Sequence, residues 1–307
     1  LATLRLALQL NFSKREVNNL RKRESELKRA LIPEGRHIMG SSPQIMHVMN
    51  LVRKVAKTDA NILITGENGT GKELIAQEIH RLSNRSKELM VSVDMGAIAE
   101  TLFESELFGH VKGAFTDARE SRQGKFEIAQ KGTLFLDEIG NLSFHLQAKL
   151  LAALENRQIT RIGSNEPIPV DIRLICATNR NIESMGRDGL FREDLLYRIN
   201  TIQIELPPLR ERGRDIIILS EFFLRKYSHK YNKGELRINQ QGLEKMMDYA
   251  WPGNIRELQN TIEKAVILSD TAVIKPEDLY LRPVSKSIGF ESIATLGKME
   301  EKMITLA

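Results

Sequence analysis

The chain has 307 residues, of which 41% are hydrophobic, enough to build one large or two medium domains with a sizeable core. Its net charge of +5 is too small to indicate nucleic-acid binding, and its single cysteine excludes a disulfide framework. No apolar run reaches the roughly 18 residues of a membrane span, and Arg5 and Gln9 interrupt the one near the start, unlike a secretory leader. We therefore expect a cytoplasmic protein. Since the sequence begins at Leu1 rather than Met, we expect it to be part of a longer chain.

Residues 1–34 are predicted to form a helical linker. No Gly or Pro occurs before Pro33, and four apolar residues recur at spacings compatible with one helical stripe: Val17, Leu20, Leu27 and Leu31. The stripe suits a short two-stranded coiled coil or packing on the following domain. A solvated charged helix that joins two domains is an equally good interpretation.

Residues 35–206 are predicted to form an α/β domain, because short apolar strands alternate with helical segments in the manner of a parallel sheet. The strands are expected at 61–65, 89–93, 132–136, 171–178 and 202–206. Residues 207–283 are predicted to form a smaller all-helical domain, with helices at 214–231, 240–249 and 254–269. Residues 284–307 are predicted to contain a linker and the start of a truncated further domain.

A glycine-rich loop follows the first predicted strand and precedes a helix, the context in which such a loop binds phosphate. Its residues are Gly66, Glu67, Asn68, Gly69, Thr70, Gly71 and Lys72. Backbone N–H groups of such a loop surround a β-phosphate, and Lys72 is expected to reach the β- and γ-oxygens. Position 73 is Glu rather than the Ser or Thr that usually ligates Mg²⁺. Magnesium would therefore depend more on Thr70, Asp137 and water.

Two acidic residues end the third predicted strand. Asp137 is expected beside the phosphates as the carboxylate that organises the metal, and Glu138 is suited to polarise the attacking water. A glycine turn and an acidic strand end that coincide by chance are the alternative. The matching context of the two motifs disfavours it.

Four further residues fit an ATPase that senses its nucleotide. Asn179 ends the fourth predicted strand, where its amide either contacts the γ-phosphate or the water, or simply caps the strand. Arg192 and Arg198 flank an acidic turn and are either surface ion-pair partners or groups that project into a neighbouring subunit's site. Arg256 begins a helix of the second domain and is placed to reach back to the phosphates.

Six motifs occur in order along the chain: ESELFGH at 104–110, GAFTDA at 113–118, GTLFLDE at 132–138, FREDL at 191–195, PPLRER at 207–212 and WPGNIREL at 251–258. Together, over about residues 38–281, they resemble the AAA+ ATPase module of bacterial enhancer-binding proteins. These are the NtrC-type activators of sigma-54 RNA polymerase.

The resemblance implies a P-loop NTPase of the AAA+ type, with a five-stranded parallel sheet, helices on both faces and a small helical lid. It implies a ring, usually a hexamer, with ATP and Mg²⁺ at subunit interfaces. Glu73 is the family's own usage, so the resemblance accounts for that departure. The other residues carried over are Lys72 and Thr70 for phosphate and magnesium, Asp137 and Glu138 as the Walker B pair, Asn179 as sensor I, Arg256 as sensor II, Arg192 and Arg198 as trans-acting arginines, and Ile38 as a nucleotide contact.

The GAFTDA segment corresponds to the tip of a loop inserted in a helix, which in the resembled family rises when ATP is bound. Its residues are Gly113, Ala114, Phe115, Thr116, Asp117 and Ala118. By the resemblance, Phe115 and Thr116 engage sigma-54. A second insertion, at 158–170, resembles the supporting loop of that family.

Two residues depart from the family pattern. Asp94 stands where the family often has Asn, the switch residue that holds the catalytic Glu, and a carboxylate there is expected to repel Glu138 unless a proton or cation intervenes. Asp117 stands where the family has Gly. Asp adopts positive φ more easily than most residues, so we expect the tight loop to remain accessible, with an added negative charge.

The first functional hypothesis is an ATP-driven activator that remodels sigma-54 holoenzyme. The second is a nucleotide-gated regulator of the same family that does not activate sigma-54, and the intact Phe115 and Thr116 favour the first. A generic AAA+ unfoldase or DNA motor leaves residues 104–118 unexplained. We expect a dimer or hexameric ring, a two-component response regulator as the parent protein, and enhancer-DNA contact only through a domain that this sequence lacks.

Overall fold

The structure is a computed structural model that describes residues 38–281. The predicted linker at 1–34 and the segment 284–307 lie outside the described residues. The helices of the described part are α1 (Pro43–Ala56), α2 (Lys72–Arg81), α3 (Glu100–Phe108), α4 (Lys125–Ile128), α5 (Phe144–Asn156), α6 (Ile182–Arg187), α7 (Glu193–Ile199), α8 (Asp215–Lys230), α9 (Gln240–Asp248) and α10 (Asn254–Leu268). Short 3-10 turns occur at Ile139–Asn141 and Leu209–Glu211.

The strands of the described part are β1 (Ile62–Thr65), β2 (Met90–Asp94), β3 (Gly109–His110), β4 (Arg122–Gln123), β5 (Thr133–Asp137), β6 (Gln158–Thr160), β7 (Pro167–Pro169), β8 (Arg173–Thr178), β9 (Ile202–Glu205), β10 (Arg237–Ile238) and β11 (Val273–Ile274). Five of them form one sheet in the order β2-β5-β8-β1-β9. All neighbours in this sheet are parallel. The predicted five-stranded parallel sheet is confirmed.

The sheet is covered on both faces, so successive residues of each central strand enter different cores. In β1, Leu63 packs in one core, and Ile62 and Ile64 pack in the other with α1 and α2. Burying each of these side chains contributes about 1.5–3 kcal/mol relative to leaving it exposed. Cys176 lies in the first core, where burial raises the pKa of its thiol, so it is a structural residue rather than a nucleophile.

Polar contacts fix both ends of α1. The Ser42 hydroxyl accepts a hydrogen bond from the Ile45 N–H, and Pro43 occupies the first helical turn, where its missing N–H costs nothing. At the other end, the buried Arg173 guanidinium donates to the carbonyl oxygens of Ala56 (2.6 Å) and Val55 (2.8 Å). A cation at a helix C-terminus is favourable, so Arg173 ties α1 to the start of β8.

The last three helices of the described part form the lid predicted from the sequence. α8, α9 and α10 pack around the fully buried Trp251, whose indole N–H donates to the Met246 carbonyl (2.8 Å). The lid also contains a two-residue parallel pair, β10 with β11, that the sequence pattern did not indicate. Among residues 38–281, no helix has the length and apolar character needed to cross a membrane.

Two short hairpins project from the α/β part. The first, β3–β4, separates α3 from α4, and its tip carries residues 113–118. The second, β6–β7, lies just before β8. The two insertions of the sequence analysis are therefore antiparallel hairpins, and both lie outside the parallel sheet.

Candidate active site

The glycine-rich loop connects β1 to α2 at the carboxyl edge of the sheet. Gly69 and Gly71 have φ of 78° and 100°, the left-handed region that glycine enters without strain. A Cβ on Gly69 would collide with the Gly253 carbonyl oxygen of the lid, so glycine also permits the lid to approach. The buried Lys72 ammonium donates to the carbonyls of Gly66 (3.1 Å) and Glu67 (3.4 Å). The Lys72 ammonium is thus held on the inner side of the loop by the loop's own carbonyl oxygens.

A cavity of about 610 Å³ lies between this loop and the lid. Ten of the predicted site residues line it: Ile38, Asn68, Gly69, Thr70, Gly71, Lys72, Glu73, Asp137, Glu138 and Arg256. Gly66 and Glu67 instead line a neighbouring groove on the other side of the loop. The structure therefore brings together phosphate-loop, carboxylate and lid residues that lie far apart in the sequence.

The two carboxylates at the end of β5 point into this cavity. The Glu138 backbone has a φ of 54°, and its carboxylate lies 3.7 Å from the Lys72 ammonium. Asp137 is partly buried, and this burial raises the pKa of its carboxyl, with the charges of Glu138 and Asp94 acting in the same direction. The pair is thus arranged around a buried cation, and Asp137 is held in an environment that disfavours its charge.

Asn179 is exposed at the end of β8, in the groove beside the cavity and not in the cavity lining itself. Its backbone N–H donates to the Glu138 carboxylate (3.4 Å). Since β8 pairs with β5, the two strand ends are adjacent, as the sequence predicted. Asn179 is therefore next to Glu138. Among the described residues, its side-chain amide makes no hydrogen bond to the phosphate loop or to Lys72.

Asp94 ends β2 directly opposite Asp137 in the parallel register. Its carboxylate accepts a hydrogen bond from the Gly96 N–H (2.8 Å) and so closes the turn that follows the strand. The Asp94 charge raises the pKa of Asp137. The predicted repulsion between Asp94 and Glu138 stays a prediction.

A set of hydrogen bonds between the phosphate loop and the lid, called the latch, was not predicted from the sequence. The Arg210 guanidinium donates two hydrogen bonds to the Glu67 carboxylate (2.6 and 2.9 Å), which lowers the pKa of Glu67. The Asn254 amide donates to Glu67 and to the Asn68 carbonyl (both 3.0 Å). The Ile255 N–H donates to the Gly69 carbonyl (3.0 Å). The N-terminus of α10, which carries Arg256, is thereby held against the loop.

Arg212 is a second functional candidate that the sequence reasoning missed. It lines the cavity and is 2% exposed, and burial lowers the pKa of its guanidinium. It donates to the carbonyls of Thr70 (3.0 Å) and Pro207 (3.1 Å). It lies within the PPLRER motif, and this position was the signal available in the sequence. A cation that links the loop to the start of the lid also adds positive charge beside the phosphate loop.

Arg192 and Arg198 lie at the two ends of α7, away from the cavity of their own chain. Arg192 pairs with the Asp194 carboxylate through two hydrogen bonds (2.6 and 3.0 Å), and Arg198 donates to the Leu154 carbonyl (3.0 Å). Neither residue lines the cavity. The acidic turn between them, as read from the sequence, is the first turn of a helix.

The GAFTDA segment forms a closed turn at the tip of the β3–β4 hairpin. The Gly113 N–H donates to the Ala118 carbonyl (2.8 Å), and the Ala118 N–H donates to the Phe115 carbonyl (3.0 Å). The Phe115 ring contacts the His110 ring edge-to-face at 4.9 Å yet remains 42% exposed. The part of the β3–β4 hairpin below the turn, called the stalk, lies against the β6–β7 hairpin. There the Val111 N–H donates to the Ile162 carbonyl (3.1 Å).

Asp117 is exposed in this turn, and its backbone has a negative φ. The residue with the left-handed backbone is Gly113, at φ 81°. The turn forms with Asp at position 117, in line with the expectation that the loop remains accessible, because the left-handed backbone lies four residues earlier. Asp at this position costs no backbone strain.

The sheet order, the phosphate loop, the acidic strand end and the helical lid define a P-loop nucleotide-binding module of the AAA+ class. The sequence profile described as "Sigma-54 interaction domain" matches residues 38–205, and that described as "AAA+ ATPase lid domain" matches residues 210–287. The chain belongs to the Sigma-54 interaction domain family.

Curated relatives extend this similarity over most of the chain. The chain is 46% identical over 273 residues to the regulatory protein AtoC of Escherichia coli (strain K12), a match that covers 89% of the chain and 58% of AtoC. It is 45% identical over 287 residues to the nitrogen fixation protein AnfA of Azotobacter vinelandii, covering 93% of the chain and 53% of AnfA. The chain thus spans little more than half the length of these relatives.

A solved structure is similar over nearly the whole chain. It is the NtrX protein of Brucella abortus crystallised in complex with ADP, with a TM-score of 0.74 and 30% sequence identity. The match covers 97% of this chain and 65% of NtrX. NtrX has also been crystallised in complex with ATP, and that structure matches with a TM-score of 0.75 and 28% identity, covering 96% of this chain and 66% of that one.

Proposed function

We propose that this chain is an ATPase module that hydrolyses ATP to remodel sigma-54 RNA polymerase holoenzyme and so open promoter DNA. One observation carries the proposal. The phosphate loop, the acidic pair and the lid arginine line a single cavity, in a chain of the Sigma-54 interaction domain family. We also propose the division into an α/β part at 35–206 and a lid at 207–283, and a cytoplasmic location.

The residues of the cavity fit a nucleoside triphosphate. The loop has the positive φ values and the inward-facing cation of a phosphate site, and NtrX, a relative in structure, has been crystallised with ADP and with ATP. Lys72 would exchange its two loop carbonyls for phosphate oxygens. Arg256 and Arg212 would add positive charge from the lid.

The cavity residues fit Mg²⁺ only when the nucleotide is bound with it. Residues 38–281 contain no group of three or more His, Cys, Asp and Glu side chains able to hold a metal ion. Magnesium usually takes one or two protein oxygens and completes its shell with phosphate and water, and here Asp137 and Thr70 would supply the protein oxygens. Bound there, it would neutralise charge on the phosphates.

Within this arrangement Glu138 would orient and deprotonate the attacking water, and Asn179 would hold that water or the γ-phosphate from the adjacent strand end. Lys72 would balance the charge that develops on the leaving oxygens. Arg192 and Arg198 do not line the cavity of their own chain. We propose that they complete the site of the next subunit in a hexameric ring.

The output end of the proposed machine is the exposed turn at 113–118, with Phe115 and Thr116 as the sigma-54 contacts. The turn rests on the β6–β7 hairpin, and its stalk continues directly from α3. A shift of α3 that follows nucleotide binding would therefore move the tip. Binding of ATP would drive this movement and hydrolysis would reset it, which would link the turn to the cavity.

The ATPase claim is tested by measuring phosphate release per subunit as protein concentration rises. The wild-type rate should increase as rings assemble, and Lys72→Ala should abolish it. Lys54→Ala, on an exposed face of α1, is the matched control and should behave like the wild type. When Arg192→Ala chains are mixed with wild-type chains, the rate should fall by more than the fraction of variant chains in the mixture. A rate per subunit that is independent of concentration contradicts the shared site.

A further inference from the structure

A short segment before α1 forms part of the cavity wall. This segment, residues 38–42, is called the strap. Ile38 and Met39 line the cavity, and the lid residues Leu219 and Phe222 of α8 line it as well. This part of the lining is apolar, in contrast to the charged part around the phosphate loop. An apolar wall beside a phosphate site fits the flat base of a nucleotide.

The strap is held to the lid by a fully buried carboxylate. Asp215, the first residue of α8, is 0% exposed. Its carboxylate accepts hydrogen bonds from the Ser41 N–H (2.7 Å), the Ser42 N–H (3.0 Å) and the Ser42 hydroxyl (2.6 Å). Bonds to an ionised acceptor are stronger than neutral ones, and the N-terminus of α8 favours the negative charge. We call this arrangement the clasp.

Gly40 makes the clasp possible. Its φ is +150°, and a Cβ at this position would lie 2.6 Å from the Asp215 Oδ2 and 3.0 Å from the Ile45 Cγ2. Any other residue would push the strap away from α8. The clasp therefore depends on four residues from two distant parts of the sequence, and none of them lines the cavity.

The same end of the lid also holds the phosphate loop. Arg212, three residues before Asp215, donates to the Thr70 carbonyl (3.0 Å). One short lid segment, residues 212–215, thus binds the strap through the Asp215 carboxylate and the phosphate loop through the Arg212 guanidinium.

We propose that Asp215 is a positioning residue for the nucleotide base. By clasping the strap to α8, it fixes Ile38 and Met39 where they pack on the base, without contact of its own. The inference rests on the proposed ATPase function. It predicts a selective effect, because loss of the clasp weakens ligands that carry a base and spares ligands that consist of phosphate alone.

The test is isothermal titration of the protein with a slowly hydrolysed ATP analogue and with inorganic tripolyphosphate, both with Mg²⁺. Asp215→Ala should weaken binding of the ATP analogue about tenfold or more, as expected for the loss of charge-assisted hydrogen bonds. Ser42→Ala and Gly40→Ala should weaken it in the same direction. Ser42→Ala and Gly40→Ala should bind tripolyphosphate as the wild type does. Asp215 also supplies negative charge near the buried Arg212, so these two variants decide whether the effect is selective.

Ser42 also caps α1, so a cap lost elsewhere is the matched control. Asn239→Ala removes the N-cap bond to the Gly242 N–H in the lid and should leave both affinities unchanged. Should Asp215→Ala fail to fold, Ser42→Ala and Gly40→Ala carry the test. Equal losses for both ligands, or no loss in these two variants, would overturn the clasp.

The proposed function has its own reference in the same titration, since Lys72→Ala should lose both ligands. A wild type that binds neither ligand, or that binds them no better than Lys72→Ala, contradicts the proposed function and the inference with it. A wild type that binds both, with Ser42→Ala and Gly40→Ala unchanged, contradicts the clasp alone.

Discussion

Asp137 and Glu138 are adjacent in the sequence but lie in different environments. Glu138 has a left-handed backbone and reaches the Lys72 ammonium and the Asn179 N–H. Asp137 continues the buried strand, and burial raises the pKa of its carboxyl. Positive φ at a residue other than glycine carries a cost, and here it falls on the proposed catalytic base. The two side chains are thereby separated into different roles.

Asp137→Asn should raise the thermal stability of the ligand-free protein at pH 7.5 and abolish ATP hydrolysis. The folded-state pKa of Asp137 lies above the ordinary 3.8, so the folded protein holds this proton more tightly than the unfolded chain does. Stability is therefore lost as the pH rises through the window between the two values, and at pH 7.5 the charge is a net cost. Thermal unfolding in the absence of Mg²⁺ measures this.

Asp278→Asn is the control, because that lid carboxylate accepts a backbone N–H from Lys275 and lies outside the cavity lining. It should show neither the stability gain nor the loss of activity. A variant Asp137→Asn that melts below the wild type would contradict the account of the buried charge.

At the scale of elements, buried polar contacts join helices to strand ends. On the edge of the sheet opposite the phosphate loop, the His80 ring of α2 lies 2.8 Å from the Thr133 hydroxyl of β5. Burial lowers the pKa of His80, and the nearby Arg173 charge acts in the same direction. A backbone hydrogen bond at Glu88 acts in the opposite direction, but burial prevails and the neutral imidazole is favoured in the folded protein.

The protein should lose stability as the pH falls from about 6.5, the ordinary pKa of histidine, towards the lower folded-state value. Above 6.5 the contribution is fully present, since His80 is neutral in both states. The loss from this single site is at most about 1.4 kcal/mol per pH unit. Denaturant unfolding at pH 8 and pH 5.5 should show a smaller difference for His80→Asn than for the wild type.

The exposed His145 provides the comparison. His145→Asn should keep the wild-type difference between the two pH values. Equal differences in the wild type and in His80→Asn would show that the buried histidine is not the group responsible.

The GAFTDA turn makes a further prediction at this scale. Asp117 is exposed and free of backbone strain, so Asp117→Gly should leave ATP hydrolysis within a few-fold of the wild type and change only sigma-54 engagement. Six copies in a ring would concentrate the charge, and salt would screen it. The difference between variant and wild type in sigma-54 capture should therefore shrink as ionic strength rises.

Asp117→Asn removes the charge and keeps the size of the side chain, so it should match Asp117→Gly. If Asp117→Asn matches the wild type instead, the charge is not the cause. A collapse of ATP hydrolysis in either variant would contradict the assignment of this residue to the output end.

At the scale of the whole molecule, the sequence predicted the sheet and the phosphate end of the site. The carboxyl ends of parallel strands meet at one edge, so Lys72, Asp137 and Asn179 were expected to converge. The latch and the clasp were not predictable. Asn254 and Glu67 are 187 residues apart, and Ser42 and Asp215 are 173 apart, so only the packing of the lid brings them together. The backbone of Asp117 was also beyond reach, because a turn's φ values depend on its closing hydrogen bonds.

The lid is the element that relates the parts to one another. It holds the phosphate loop through Glu67 and Thr70, and the strap through Asp215. The arginines of α7 and the turn at 113–118 lie elsewhere on the α/β part. The cavity, the lid and the turn are thus connected through the α/β part, as the proposed coupling of hydrolysis to loop movement requires.

The most direct test of the central claim is capture of sigma-54 by the protein in the presence of Mg²⁺, ADP and aluminium fluoride, a mimic of the transferred phosphate. The wild type should retain sigma-54 only when the mimic is present. Phe115→Ala should lose this capture and keep its ATPase activity, while Tyr280→Ala, which removes an exposed aromatic ring of the lid, should behave like the wild type. Equal recovery of sigma-54 by the wild type and Phe115→Ala would contradict the account.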